Sequence, residues 1–205
     1  MTDPSQSARD DLAFVRALVT EGGAVQGSLG QALLAGGLCY GIQCMVQWGL
    51  YISGWQAPTV VHLTAGILPS VIFIGLIIWL SRRNRGAVPH GMAMRALNAA
   101  FGSSGLAAMT TAVIFGYLAW RYHDMGIFLF HPLMVAVVQG AVWYVAFAIR
   151  RRTWLGMVSI GWFVAAMLGA LTIERLELFI LLIGVALLLL MALPGWILMR
   201  SAANS

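Results

Sequence analysis

The stretch Phe130–Arg152, FHPLMVAVVQGAVWYVAFAIRRR, decides the fold. It opens on a His-Pro pair, runs through apolar residues, and closes on three consecutive arginines. About twenty apolar residues in a helix are roughly 30 Å long, the thickness of a bilayer's hydrocarbon core. Arginines gathered at one end hold that end on the cytoplasmic side. The stretch therefore reads as a membrane span of known direction, and every other segment takes its orientation from it.

Composition agrees. Hydrophobic residues make up 60% of the 205-residue chain and charged residues 9%, against roughly 25% charged in a soluble domain. A soluble fold of this size has no place for that much apolar surface, so the class is an all-α, polytopic transmembrane helical bundle. Spans are expected over 28–53, 60–80, 99–120, 130–152, 154–173 and 178–199. The division is a cytoplasmic tail with a short amphipathic helix over 1–27, a six-span domain over 28–200, and a cytoplasmic tail over 201–205. The first apolar run is too long for a signal-peptide core and no small-residue cleavage site follows it, so it reads as a retained span.

All twelve basic residues are arginine. With the N-terminus inside, Arg9, Arg16, Arg82, Arg83, Arg85, Arg95, Arg150, Arg151, Arg152 and Arg200 lie on the cytoplasmic side, and Arg121 and Arg175 lie outside. That asymmetry predicts six spans with both termini cytoplasmic, as in a bacterial inner membrane. Arg82, Arg83, Arg85 and the triplet Arg150–Arg152 are the topology anchors. The pI near 9.9 follows from arginines at span ends and points to the bilayer as partner, with no nucleic acid.

Ser7-Ala-Arg-Asp10 reads as a capping box. Leu12, Val15 and Leu18 then recur at helical spacing with Phe14 beside them, and Gly22-Gly23 reads as a C-cap. This predicts a short amphipathic helix ahead of the membrane, and Leu12, Phe14, Val15 and Leu18 are the residues on which a cytoplasmic protein would dock. A homo-oligomer is also compatible with the composition.

Within the first span, Tyr40, Gln43 and Gln47 share one face and Gly37 and Gly41 form a small-xxx-small pair on a neighbouring face. Glutamines are costly against lipid, so that face is expected to look into the bundle. Gln139 lies at a similar depth in the fourth span, which predicts a Gln43–Gln139 hydrogen bond. Tyr40, Gln43, Gln47 and Gln139 would form either a packed polar core or a substrate path. Pro69 is expected to kink the second span. Asn98, Gly102, Gly105, Ala112 and Gly116 form a small-residue stripe suited to close helix approach. The leucine-rich sixth span reads as facing lipid on most sides, with a break at Pro194-Gly195.

No acidic residue lies within a span, and no G-x-S-x-G, H-E-x-x-H or Walker pattern occurs. A mid-membrane proton relay and hydrolytic chemistry are disfavoured, and no enzyme activity or cofactor is expected. Cys39 and Cys44, five apart on one helix, point in different directions and do not suit a disulfide. His62, His123 and His131 all fall at the outer boundary, where imidazoles either meet water and headgroups or, if they converge, hold a metal or haem.

Two stretches resemble a group of uncharacterised small six-span inner-membrane proteins of alphaproteobacteria and related bacteria. One is Asp10-Asp-Leu-Ala-Phe-Val-Arg-Ala-Leu18 with Glu21-Gly-Gly23. The other runs from Gln139-Gly-Ala-Val-Trp143 through the arginine triplet before Trp154-Leu155 to Leu193-Pro-Gly195 and Met199-Arg200. The resemblance implies the same topology and cytoplasmic helix, and an accessory or regulatory role. It carries over no catalytic or binding residues. The reading is a non-catalytic accessory or signalling membrane protein; the alternatives are a small-molecule transporter built on the glutamine-lined interior, and outer-side metal or haem binding.

Overall fold

A computed structural model describes the backbone over residues 4–83 and 92–203, and side chains over 27–83 and 92–202. Arg85 lies outside these ranges, and Leu12, Phe14, Val15 and Leu18 lie outside the described side chains. The described elements are all helical: α1 (Pro4–Ile52), α2 (Thr59–Arg83), α3 (Met92–Tyr122), a 3₁₀ turn (Met125–Leu129), α4 (Phe130–Arg150), α5 (Thr153–Thr172), α6 (Leu176–Leu187), a π turn (Leu188–Ala192) and α7 (Leu193–Ala203). Six segments are long and apolar enough to cross a membrane: Gly27–Ile52, Thr59–Arg83, Met92–Tyr122, Met125–Arg150, Thr153–Thr172 and Leu176–Ala202. The chain is thus an all-α, multi-pass membrane bundle, and α6, the π turn and α7 together make the sixth span.

Two boundaries differ from the sequence reading. The α1 backbone stays helical through Gly22-Gly23, where a C-cap was expected. Glycine lowers helix propensity by about 1 kcal/mol but does not end a helix unless the chain also turns away. The third span begins at Met92 rather than near residue 99, so Arg95 and Asn98 are helical.

The connections are tight. His123, at φ 53°, ends α3, and Asp124 caps the following 3₁₀ turn by accepting the Gly126 N–H at 2.8 Å. Arg151, also at φ 53°, ends α4, and its N–H returns to the Phe147 carbonyl at 2.7 Å. Connections this short force neighbouring spans to run antiparallel.

Cross-contacts set the order of the spans. Met94 meets Arg150, and Thr111 meets His131, between α3 and α4. Ser159 Oγ donates to the Gly140 carbonyl at 2.7 Å between α5 and α4. Trp162 links α5 to Leu190 in the sixth span. The sixth span lies along α1, and α2 packs on the other side of α1. The order is therefore α2, α1, sixth span, α5, α4, α3. At one end α1 also reaches α3, closing five of the spans around Trp143. Trp143 is fully buried, with the Phe101 ring edge-on at 5.2 Å and the Trp154 ring at 6.3 Å. Helix α2 stays peripheral, with Leu80 its only buried residue.

Candidate functional site

The residues singled out for their chemistry fall along two seams of α1 and in the core around α4. On the first seam, Gln43 Nε2 donates to the Gly66 carbonyl of α2 at 3.0 Å, and Gln47 Nε2 to the His62 carbonyl at 3.5 Å. Tyr40 meets Phe73 of α2 edge-on at 5.4 Å. The Gln43 and Gln47 amides therefore turn to α2, while Tyr40 sits at the edge, touching Phe73 and also packing against the buried core. The glutamine amides satisfy themselves on backbone oxygens of α2, which serves the same physical need the sequence posed: no free amide against hydrocarbon. Gly66 stands one turn before Pro69, and α2 remains helical through that proline.

Gln43 does not bond Gln139, contrary to the sequence expectation. Gln139 is on α4 with only 6% of its surface exposed. Its Oε1 has no hydrogen-bond partner, nor has Nε1 of Trp143 one turn further along. An unpaired buried polar atom costs about 1–3 kcal/mol. The four residues read as one polar set thus divide, with Gln43 and Gln47 against α2, Tyr40 at the edge and Gln139 in the core.

The second seam joins α1 to the sixth span. A Cβ added at Gly30 would fall 2.7 Å from the Met199 nitrogen and 2.8 Å from the Gly195 carbonyl oxygen. At Gly37 it would fall 2.7 Å from the Ala192 Cα, and at Gly41 2.7 Å from a Leu188 methyl. Gly195 in turn leaves 2.8 Å between its would-be Cβ and the Gly30 carbonyl oxygen. Backbone lies on backbone along this line, the close packing that small residues permit where the hydrophobic effect cannot drive helices together. The sequence reading paired Gly37 with Gly41 but assigned the sixth span to lipid. That assignment is corrected: Phe179, Ile183, Ala186, Leu187, Ala192 and Leu198 are buried, while Val185 and Leu189 are exposed.

The opposite correction applies to α3. A Cβ at Gly102 or Gly105 would meet nothing within 4 Å, and Asn98 is exposed. Asn98, Gly102 and Gly105 face outward, whereas Ala112 and Gly116 are half-buried, a Cβ on Gly116 falling 3.9 Å from the Phe128 ring. The face of α3 that packs carries Leu97, Phe101, Ser104, Thr111 and Ala119 instead.

A third feature was missed in sequence. Trp162 is 2% exposed and its Nε1 donates to the Leu190 carbonyl at 3.1 Å. In an uninterrupted α-helix that carbonyl takes the N–H of residue 194, which is Pro194 and has none. Just upstream, the π turn sends the Leu193 N–H back to Leu188. The readable signals were a tryptophan inside an apolar run, whose N–H needs a partner, and a proline inside another.

The histidines disperse. His131 Nδ1 lies 3.2 Å from Thr111 Oγ1, and its ring stacks at a tilt on Phe128 at 5.5 Å. His62 is exposed on α2, whose neighbour is α1, and His123 sits exposed in the α3–α4 turn. Asp124 is spent on its cap. Among the described residues no group of three or more His, Cys, Asp or Glu gathers to hold a metal ion. Cys39 and Cys44 are both free thiols.

The space where α1, α3, α4, α5 and α7 converge, lined by Leu29, Leu97, Trp143, Arg150 and Leu198 among others, amounts to about 10 Å³. That holds at most one water. The anchors Arg82 and Arg83 end α2, and Arg150–Arg152 form the α4–α5 junction. No protein-family model matches the chain, and neither a curated protein nor a solved structure matches it.

Proposed function

We propose that this is a non-catalytic accessory protein of the bacterial inner membrane, with both termini cytoplasmic, that receives a cytoplasmic partner on its N-terminal helix. The observation that carries the reading is α1. Its helix runs from Pro4 into the span that begins at Gly27. A partner held on Leu12, Phe14, Val15 and Leu18 is thereby joined by continuous helical backbone to the helix that packs against both α2 and the sixth span. Force or rotation applied to that helix reaches both seams.

The seven arginines Arg82, Arg83, Arg95, Arg150, Arg151, Arg152 and Arg200 at one end of the bundle, against Arg121 and Arg175 at the other, support the cytoplasmic placement of the N-terminus. The resemblance to small six-span proteins of alphaproteobacteria fits the same placement. A transporter using Gln43 and Gln47 as a water-lined path would need their amides free, whereas both donate to α2. Haem or metal binding would need the outer histidines to meet, and His131 instead pairs with Thr111.

The test is a pull-down from crosslinked membranes with three forms: the intact chain, a chain lacking residues 1–23, and an intact-length chain carrying L12D and L18D. A cytoplasmic protein recovered with the first and lost with the other two supports the reading and names the pathway. If all three insert stably and recover the same proteins, the docking helix is refuted.

A further inference from the structure

The antiparallel order sends the span ends to two opposite faces, and their charge differs sharply. Arg82 and Arg83 end α2, Arg95 lies in the first turns of α3, Arg150–Arg152 join α4 to α5, and Arg200 is near the end of α7. No Asp or Glu with a described side chain stands on that face; Asp124, Glu174 and Glu177 all lie on the other, near Arg121 and Arg175. Counting the N-terminal segment on the same side adds Asp3, Asp10, Asp11 and Glu21, yet the arginines still outnumber the acids.

Two of the arginines are posed on rings. The Arg83 guanidinium carbon lies 5.2 Å from the centroid of Trp79, and that of Arg200 lies 4.7 Å from Trp196. Both rings are open to the outside of the bundle, Trp79 at 54% and Trp196 at 40% exposure. Interfacial tryptophans sit at headgroup depth. A guanidinium stacked over such a ring keeps its in-plane N–H donors, the geometry that binds phosphate in pairs. Between these corners, Arg151 is left-handed and Arg152 extended (φ −95°, ψ 118°), and both side chains are exposed.

We propose that this face binds anionic phospholipid headgroups, with Arg83, Arg151, Arg152 and Arg200 as the principal phosphate ligands and the lipid chains lying against Trp79 and Trp196. Charge complementarity selects the occupant: a positive face, flanked by exposed apolar spans, meets fixed phosphates at the depth of its own aromatic rings. The inference is independent of any partner on the N-terminal helix.

The test uses the full chain reconstituted in bilayer discs of equal phosphatidylglycerol and phosphatidylcholine, then extracted with its lipid annulus for lipid analysis. The intact chain should retain phosphatidylglycerol roughly fivefold over phosphatidylcholine, the preference set by about one arginine's attraction to an anionic surface. R83Q/R151Q/R152Q/R200Q should return the ratio to that of the disc, and R121Q/R175Q should leave it enriched. Inorganic phosphate at millimolar concentration should not compete; competition would make the face a site for free phosphate and overturn the lipid assignment. If the fourfold variant does not fold, the intact chain still decides: enrichment must fall between 0.15 M and 1 M salt as the Debye length shrinks. Equal retention of both lipids, or enrichment indifferent to salt, overturns the proposal.

Discussion

Replacing Trp162 with Phe tests the account of how the broken sixth span is held. Trp162 Nε1 donates to the Leu190 carbonyl at 3.1 Å, in a register where Pro194 removes the backbone donor. Phenylalanine keeps an aromatic ring in the buried position but deletes the donor. Interhelical hydrogen bonds in membrane proteins average about 0.6 kcal/mol and reach about 1.7 kcal/mol. The loss of ring volume adds a packing cost of about 1–2 kcal/mol, which would obscure a single measurement. A double-mutant cycle removes it. Pro194→Ala restores an N–H to residue 194, so the Leu190 carbonyl regains its own helix donor. In that background W162F should cost only packing, and the coupling between the two changes should be about 1 kcal/mol. For a chain of this size that corresponds to roughly 2–4 °C in midpoint. The four proteins would be compared by reversible unfolding in mixed micelles or by steric trapping in bicelles. If W162F costs the same with proline and with alanine at 194, within about 0.3 kcal/mol, the indole does not stand in for the missing N–H and the reasoning fails.

Other consequences follow from the same geometry. Gly30→Ala places a methyl 2.8 Å from the Gly195 carbonyl oxygen and should destabilise by about 1–3 kcal/mol, read as a lowered midpoint; Gly102→Ala and Gly105→Ala meet open space and should each be neutral or gain up to about 1 kcal/mol from helix propensity. Gln139→Leu removes an unpaired buried oxygen and should leave stability unchanged or raise it by about 1–3 kcal/mol; a clear loss would mean that Oε1 has a partner of its own. Gln43→Leu should cost about 1 kcal/mol and loosen α2 from α1, visible as weaker crosslinking between cysteines placed at Tyr40 and Phe73. Gln47→Leu, with its longer 3.5 Å contact, should do less.

How far the sequence reached depends on which physical force wrote each feature. The six spans, most of their ends within a few residues, and the gathering of Arg82, Arg83 and Arg150–Arg152 at one face were legible, because bilayer thickness sets span length and charge is excluded from the hydrocarbon, while the start of the third span was placed seven residues late. The need of Gln43 and Gln47 for partners was legible too, since an amide cannot be left bare in lipid. Which partner they found was not. Apolar helix faces in a membrane look alike from sequence, because lipid is as good a neighbour as leucine and no hydrophobic drive sorts inside from outside. Two glycine stripes of similar appearance therefore came to opposite ends: Gly30, Gly37 and Gly41 seat the sixth span, while Gly102 and Gly105 face outward. The leucine-rich sixth span was misjudged for the same reason. Gln139 shows the limit most clearly, since its depth along α4 was readable but its rotation relative to α1 was not. Length and polarity act along the chain and are readable from it. Helix neighbours and rotations are set by where backbone can touch backbone, which exists only once the spans are assembled.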